Sequence, residues 1–263
     1  MLLALVLPEG TALRGSTGAL SPAPVEGIDP VKAGPRPVLA PMGETYKIPV
    51  LMYHDIGSPK ASLVVTPEMF GKQMEALFEA GYETVTADAL LLGLKGERVW
   101  LPEKGVAITF DDGYEGVYRY AYPVLKSLGL KATLFVVTGL VGKDGYLTWD
   151  QLQELAAEGW AVGSHAVHHV DLRTLEARQL QNEVSLSRKV LSEATGQEIL
   201  SFCYPSGKYD DSVIAAVEGA GYLGAFTTEP GFVRGRDAPF TLKRIRVDGR
   251  DGLSAFKSRL SIP

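Results

Sequence analysis

From Ile48 onward, the chain alternates short apolar segments with longer segments whose apolar residues recur every three or four positions. The short segments predict β-strands and the longer ones predict amphipathic helices. The strands expected from this pattern lie at 48–54, 82–86, 105–110, 131–137, 160–164, 199–205, 222–227 and 242–247. The expected helices lie at 66–81, from about 113 to 128, at 148–159, within 174–196 and at 211–221, and a polar link joins 86 to 105.

Local signals mark the ends of these helices. Thr66 is the expected N-cap of the first helix, with Pro67 at its first position, and Thr148 begins a capping box. The segment at 105–110 is apolar throughout, as expected of a strand covered on both faces. Alternating strands and helices indicate an α/β fold with parallel βαβ units, closed as a barrel or open as a doubly wound sheet. In both folds, functional residues gather at the carboxyl ends of the strands.

Polar and titratable residues follow the predicted strands. They are His54, Asp111 with Asp112, His165 to His169, Pro205 to Gly207, and Arg244 with Arg246. This set includes all four histidines of the chain. The pattern therefore favours one functional site at the carboxyl end of the sheet.

Two histidines and an aspartate form a candidate metal site. His165 and His169 have the i, i+4 spacing that lets both imidazoles reach one ion, and Asp112 would add a charged ligand. His168 is an alternative to His169. Asp111 would then be the base, provided that a turn at Gly113 brings both adjacent acids to the same side.

Composition narrows the function. The chain has 263 residues, 46% of them hydrophobic, and a formal net charge of −5 without a basic cluster, so we expect no nucleic-acid partner. Cys203 is the only cysteine, which excludes an internal disulfide.

Residues 1–46 form an expected extension or linker. It holds seven of the sixteen prolines and begins with a short apolar run that is a possible remnant of an export signal but too short to span a bilayer. Residues 47–263 form the expected catalytic domain.

The motifs resemble those of the polysaccharide deacetylases of carbohydrate esterase family 4, the NodB homology domains. "TFDDG" resembles their first motif, and "SHAVHH" resembles their second, with Ala166 in place of a hydroxyl residue. The resemblance implies a distorted (β/α) barrel with about seven parallel strands. It also implies Asp111 as general base and Asp112, His165 and His169 as ligands of a divalent metal, zinc first, with cobalt or nickel as alternatives.

The third motif departs from the family pattern Phe-Arg-x-Pro-Tyr-Gly. It reads "FCYPSG", so Cys203 stands in place of the arginine that orients the base. A neutral cysteine cannot hold a carboxylate as a guanidinium does, and is itself expected to be a small buried residue. Arg244 or Arg246 would supply the missing charge from another strand. The backbone N–H of Ser206 remains a candidate oxyanion donor.

The family's late histidine motif, which carries the general acid, is absent because no histidine follows His169. "IPVLMYHDI" resembles the opening of the subgroup that includes poly-N-acetylglucosamine deacetylases, whose acid comes from the N-terminal strand. His54 is therefore the candidate acid. The expected function is metal-dependent removal of N-acetyl groups from an N-acetylglucosamine polymer of the cell envelope or an exopolysaccharide, outside the cytoplasm. The alternatives are an O-acetyl esterase of the xylan type and an inactive glycan-binding domain.

Overall fold

The apolar segments form a sheet that closes on itself. The structure, a computed structural model, describes residues 42–43, 46–58 and 62–262. Its strands are β1 (Lys47–Tyr53), β2 (Asp55–Ile56), β3 (Val64–Val65), β4 (Glu83–Thr84), β5 (Gly105–Asp112), β6 (Thr133–Val136), β7 (Ala161–Ser164), β8 (Ser201–Cys203), β9 (Gly224–Pro230), β10 (Phe232–Arg234) and β11 (Leu242–Arg246). Five of them lie inside the ranges expected from the sequence: β4, β6, β7, β8 and β11. β1, β5 and β9 overlap their expected ranges.

Seven of these strands form a closed parallel barrel. Their order is β1-β11-β9-β8-β7-β6-β5, and β5 pairs again with β1. The barrel predicted for the chain is thus confirmed, and the open-sheet alternative is wrong. Four strands lie outside the ring. β10 pairs antiparallel with β1, β4 pairs parallel with β5, and β2 and β3 form a separate two-stranded parallel sheet.

The described residues contain seven α-helices. They are α1 (Pro67–Glu79), α2 (Ala87–Leu94), α3 (Tyr122–Ser127), α4 (Trp149–Ala157), α5 (Ala177–Thr195), α6 (Asp211–Gly219) and α7 (Leu253–Arg259). The expected caps are present, since the Thr66 side chain accepts from the Met69 amide and Thr148 forms a capping box with Gln151. A π-helical turn at Val117–Ala121 leads into α3. No helix among the described residues is long and apolar enough to cross a membrane.

Part of the predicted link between 86 and 105 is wrong, because it contains the helix α2. Its residues are apolar on nearly every side, so it lacks the one-sided pattern that identifies surface helices. Leu90 and Leu91 are fully buried, in the same cluster as Val50, Ala107 and Phe135. The strand residues in this cluster alternate with neighbours such as Leu51 that pack against the outer helices. The helix α2 therefore closes one end of the barrel interior.

The strand β10 and the helix α7 were also absent from the expected elements. β10 has three residues and is held by its antiparallel pairing with β1, so it depends on a partner far away in the chain. The helix α7 has seven residues and only Phe256 is buried among them. Residues 1–41, which make up most of the predicted extension, lie outside the described residues.

Candidate active site

The carboxyl end of β5 carries two carboxylates that point into one cleft. Asp111 is the last buried residue of the strand, with 2% of its surface exposed. Asp112 has a left-handed backbone with φ of 71°, and Gly113 follows with φ of 86°. The turn expected at Gly113 therefore begins one residue earlier. This conformation is unfavourable for an aspartate, and it allows adjacent acids to share one side of the strand end.

Asp112 lies beside both histidines that the spacing singled out. Its Oδ1 is 3.6 Å from His165 Nε2 and 3.5 Å from His169 Nε2. One ligand atom from each of the three residues lies within 4.8 Å of the other two. His165 Nδ1 is 2.7 Å from the Cys203 carbonyl oxygen. An N–H at Nδ1 that donates to this oxygen leaves the Nε2 lone pair directed at Asp112.

This donor set fits a divalent metal. Two imidazole nitrogens and one carboxylate form an open three-ligand site of the kind that catalytic zinc occupies. Burial lowers the pKa of His165, which favours the neutral, ligating form of its ring. Asp111, His165 and Cys203 form a second close group. It is the poorer metal site, because burial raises the pKa of the Cys203 thiol well above its ordinary value.

His168, the alternative ligand, faces away from this cluster. Its Nδ1 is 2.5 Å from Oε1 of Glu183 on α5. The geometry therefore places His169, and not His168, beside Asp112. Sequence reasoning missed Glu183, because a glutamate inside an amphipathic helix carries no local signal of a contact with a distant loop.

Asp111 is held by an arginine from the last barrel strand. Arg244 donates from its two terminal nitrogens to the two oxygens of Asp111, each at 2.7 Å. The Arg244 side chain is fully buried, and its Nε donates to the Thr227 carbonyl at 2.9 Å. Burial alone would raise the pKa of the Asp111 carboxyl, but the charge and hydrogen bonds of Arg244 hold that pKa well below its ordinary range.

The structure thus distinguishes the two candidate arginines. Arg244 reaches Asp111, whereas Arg246 is exposed and lies at the rim of the cleft. Cys203, which stands where the family has its arginine, is fully buried, and its Sγ lies 3.1 Å from Arg244 Nη2. The positive charge that is absent at Cys203 on β8 is therefore present at Arg244 on β11.

His54 and Ser206 complete the cleft, whose volume is about 390 Å³. It is lined by Met52, His54, Ser62, Leu63, Asp111, Asp112, His165, His169, Tyr204, Ser206, Thr228 and Arg246. Burial lowers the pKa of His54, and its buried Nδ1 has no hydrogen-bond partner within the described part of the chain. Ser206 has a left-handed backbone with φ of 55°. The next residue, Gly207, packs closely against Thr228. A Cβ at position 207 would lie 2.1 Å from Thr228 Oγ1.

Comparison with known proteins identifies the family of this chain. The family model described as polysaccharide deacetylase matches residues 99–225. YxkH of Bacillus subtilis, which is named as a polysaccharide deacetylase, is 38% identical over 210 residues, or 80% of this chain and 75% of YxkH. The chain therefore belongs to the polysaccharide deacetylases of carbohydrate esterase family 4.

Other relatives share less of their length with this chain. The peptidoglycan-N-acetylmuramic acid deacetylase PdaA of Bacillus subtilis is 31% identical, and the match spans 64% of this chain and 58% of PdaA. The poly-β-1,6-N-acetyl-D-glucosamine N-deacetylase of Staphylococcus aureus is 26% identical, and the match spans 56% of this chain and 55% of that protein. Among solved structures, the Streptococcus pyogenes deacetylase PplD in complex with acetate superposes with a TM-score of 0.76 at 30% identity, covering 82% of this chain and 98% of PplD.

Proposed function

We propose that this chain is a metal-dependent hydrolase that removes N-acetyl groups from an N-acetylglucosamine-containing polysaccharide and releases acetate. The observation that carries the proposal is one cleft that holds both Asp111, paired with Arg244, and the cluster of Asp112, His165 and His169. A base next to an open metal site is the arrangement needed to direct water at an acyl carbon.

Each side chain has a separate task in this proposal. Asp112, His165 and His169 would hold the metal, with zinc as first candidate and cobalt or nickel as alternatives. When bound, the metal would supply Lewis acidity toward the acetyl carbonyl and toward water. Asp111 accepts the proton of the attacking water, and Arg244 keeps its carboxylate ionised and oriented.

Two further groups act on the leaving amine and on the oxyanion. His54 lies in the cleft and would donate a proton to the amine as the carbon–nitrogen bond breaks. The Ser206 backbone N–H makes no hydrogen bond to other described residues, so it is available to the developing oxyanion. The left-handed backbone of Ser206 sets the direction of that N–H group.

The substrate class rests on the relatives. PdaA is named for N-acetylmuramic acid in peptidoglycan, and the Staphylococcus aureus protein is named for poly-β-1,6-N-acetyl-D-glucosamine. Both named substrates are N-acetylated polymers of amino sugars. We therefore propose an envelope polysaccharide or an exopolysaccharide as substrate, and a site of action outside the cytoplasm.

Acetate release tests the proposal. Zinc-loaded protein is offered partly acetylated poly-N-acetylglucosamine, chitin oligomers and acetylated xylan, alongside Asp111→Asn and His54→Ala. The exposed Asp144→Asn is the matched control. We expect turnover of amide substrates only, with kcat lost in both site variants, zinc retained, and the control unchanged.

Other outcomes select the alternatives. Turnover of acetylated xylan alone would identify an O-acetyl esterase. Wild type that binds zinc and a glycan but releases no acetate would identify an inactive glycan-binding domain.

A further inference from the structure

The segment that carries the second histidine has an unusual backbone. Ala166 and His169 have left-handed φ angles of 65° and 54°, and no glycine lies between them. Side-chain-bearing residues adopt this region at a cost, so neighbouring structure must hold them there. This segment, residues 166–169, is the histidine loop.

Glu183 of α5 holds the middle of the histidine loop. Its Oε2 accepts hydrogen bonds from the Val167 and His168 amides, both at 2.9 Å, and its Oε1 is 2.5 Å from His168 Nδ1. The residue is buried, with 8% of its surface exposed. A carboxylate that accepts two backbone N–H groups is a strong and directional anchor.

Ser187, one turn further along α5, is linked to the start of the loop through Ser164. Its Oγ lies 2.8 Å from Ser164 Oγ, which in turn accepts from the Ala166 amide at 3.1 Å. On the loop's other side, the Gly139 amide donates to the Val167 carbonyl at 2.9 Å. The loop is therefore bonded on both sides, and α5 supplies the carboxylate that accepts from its backbone amides.

We propose that Glu183 is a positioning residue that sets the metal affinity of the site by holding the histidine loop. The inference rests on the metal centre of the proposed function. Glu183 contacts neither the candidate metal donors nor the lining of the cleft, so it acts through the histidine loop that directs His169 toward Asp112. Contacts of this kind behind metal ligands typically change metal affinity by about 10- to 100-fold.

Metal titration of the full chain tests this role. Glu183→Met keeps length and removes both acceptors, Glu183→Asp keeps the charge but shortens the reach, and Glu183→Gln keeps one acceptor oxygen for the loop amides. Glu193→Met, on an exposed position of the same helix, is the matched control. Zinc affinity is measured by calorimetry, and the ligand geometry is read from the visible spectrum of the cobalt-loaded protein.

We expect zinc affinity to fall by about 10- to 100-fold in Glu183→Met, with an altered cobalt spectrum. Glu183→Asp should weaken zinc binding too, Glu183→Gln should recover most of the affinity, and Glu193→Met should match wild type. If Glu183→Met does not fold, as judged by circular dichroism, Glu183→Asp decides the question.

Two results would overturn the inference. One is wild-type zinc affinity and cobalt spectrum in the folded Met and Asp variants. The other is a lower melting temperature of the metal-free protein with unchanged affinity, which would mean a purely structural role. Wild type that binds neither metal would contradict the proposed function itself, and is thereby distinguished from failure of the inference.

Discussion

Replacing Arg244 with Met should be among the most destabilising single changes in the barrel. The variant keeps an unbranched side chain but removes the guanidinium group that pairs with both oxygens of Asp111. It also removes the hydrogen bonds to the Thr227 carbonyl and Thr109 Oγ1. Asp111 is left as a carboxylate with 2% of its surface exposed and without the guanidinium that holds its pKa down.

The expected cost follows from that burial. Removing one partner of a buried ion pair typically costs about 3–5 kcal/mol, because the remaining charge has neither water nor a counter-ion. For a domain of this size, about 2–4 °C of melting temperature per kcal/mol gives a decrease of about 6–20 °C. Arg246→Met is the matched control, since that side chain is exposed on the same strand, and it should change stability by about 0.5 kcal/mol or less.

Urea unfolding of the metal-free protein at several pH values measures the effect. The pKa of Asp111 lies below its unfolded value in wild type, so the pair stabilises the fold above about pH 4 and loses this contribution as pH falls further. The difference between wild type and Arg244→Met should therefore shrink in acid. The double variant Asp111→Asn with Arg244→Met, which removes both charges, should recover part of the lost stability. Equal stability of Arg244→Met and Arg246→Met at pH 7 would refute this account of the pair.

Three further predictions concern groups other than the candidate metal ligands. Burial raises the pKa of Asp88 to about 7, so wild-type stability should fall as pH rises from about 4 to 7, by at most about 1.4 kcal/mol per pH unit, and Asp88→Asn should remove this slope in urea titrations. Cys203 is fully buried and should react with a thiol reagent only after unfolding; labelling of the folded protein would contradict the structure. Gly207→Ala should cost more stability than Gly196→Ala in the same urea assay, because both have positive φ but only the first meets a neighbouring side chain.

The parallel α/β fold could be predicted from sequence because its strands and helices alternate with clear local signals. The choice of a barrel over an open sheet came from the resemblance to the family. The capping box at Thr148 and the cap at Thr66 are local contacts, and both are present in the structure. The helix α2 was missed because its burial at the end of the barrel makes it apolar all round. The strand β10 was missed because its three residues are held by pairing rather than by their own pattern.

The candidate site also combines residues that local sequence signals identify with residues that only contacts between distant segments identify. The i, i+4 spacing of His165 and His169 is local, and the two lie together beside Asp112. The choice between Arg244 and Arg246 was open because residues two positions apart on a strand point to the same face, so both could face the barrel interior. Only the depth of each residue in the closed barrel decides which reaches Asp111. The contact of Glu183 could not be predicted from the sequence for a similar reason, because it depends on how α5 packs on the histidine loop.

The pairing of Asp111 with Arg244 spans 133 residues and joins the middle of the chain to its last barrel strand. At a synthesis rate of about 5–20 residues per second, roughly 7–27 s separate the appearance of the two residues on the ribosome. During that interval β1 lacks its neighbour β11, and the candidate base has no counter-ion. A nascent chain interrupted before β11 would already carry Asp112, His165 and His169, yet it would lack the charge that orders the base. Arg244 therefore reaches the candidate base only when the last strand closes the barrel.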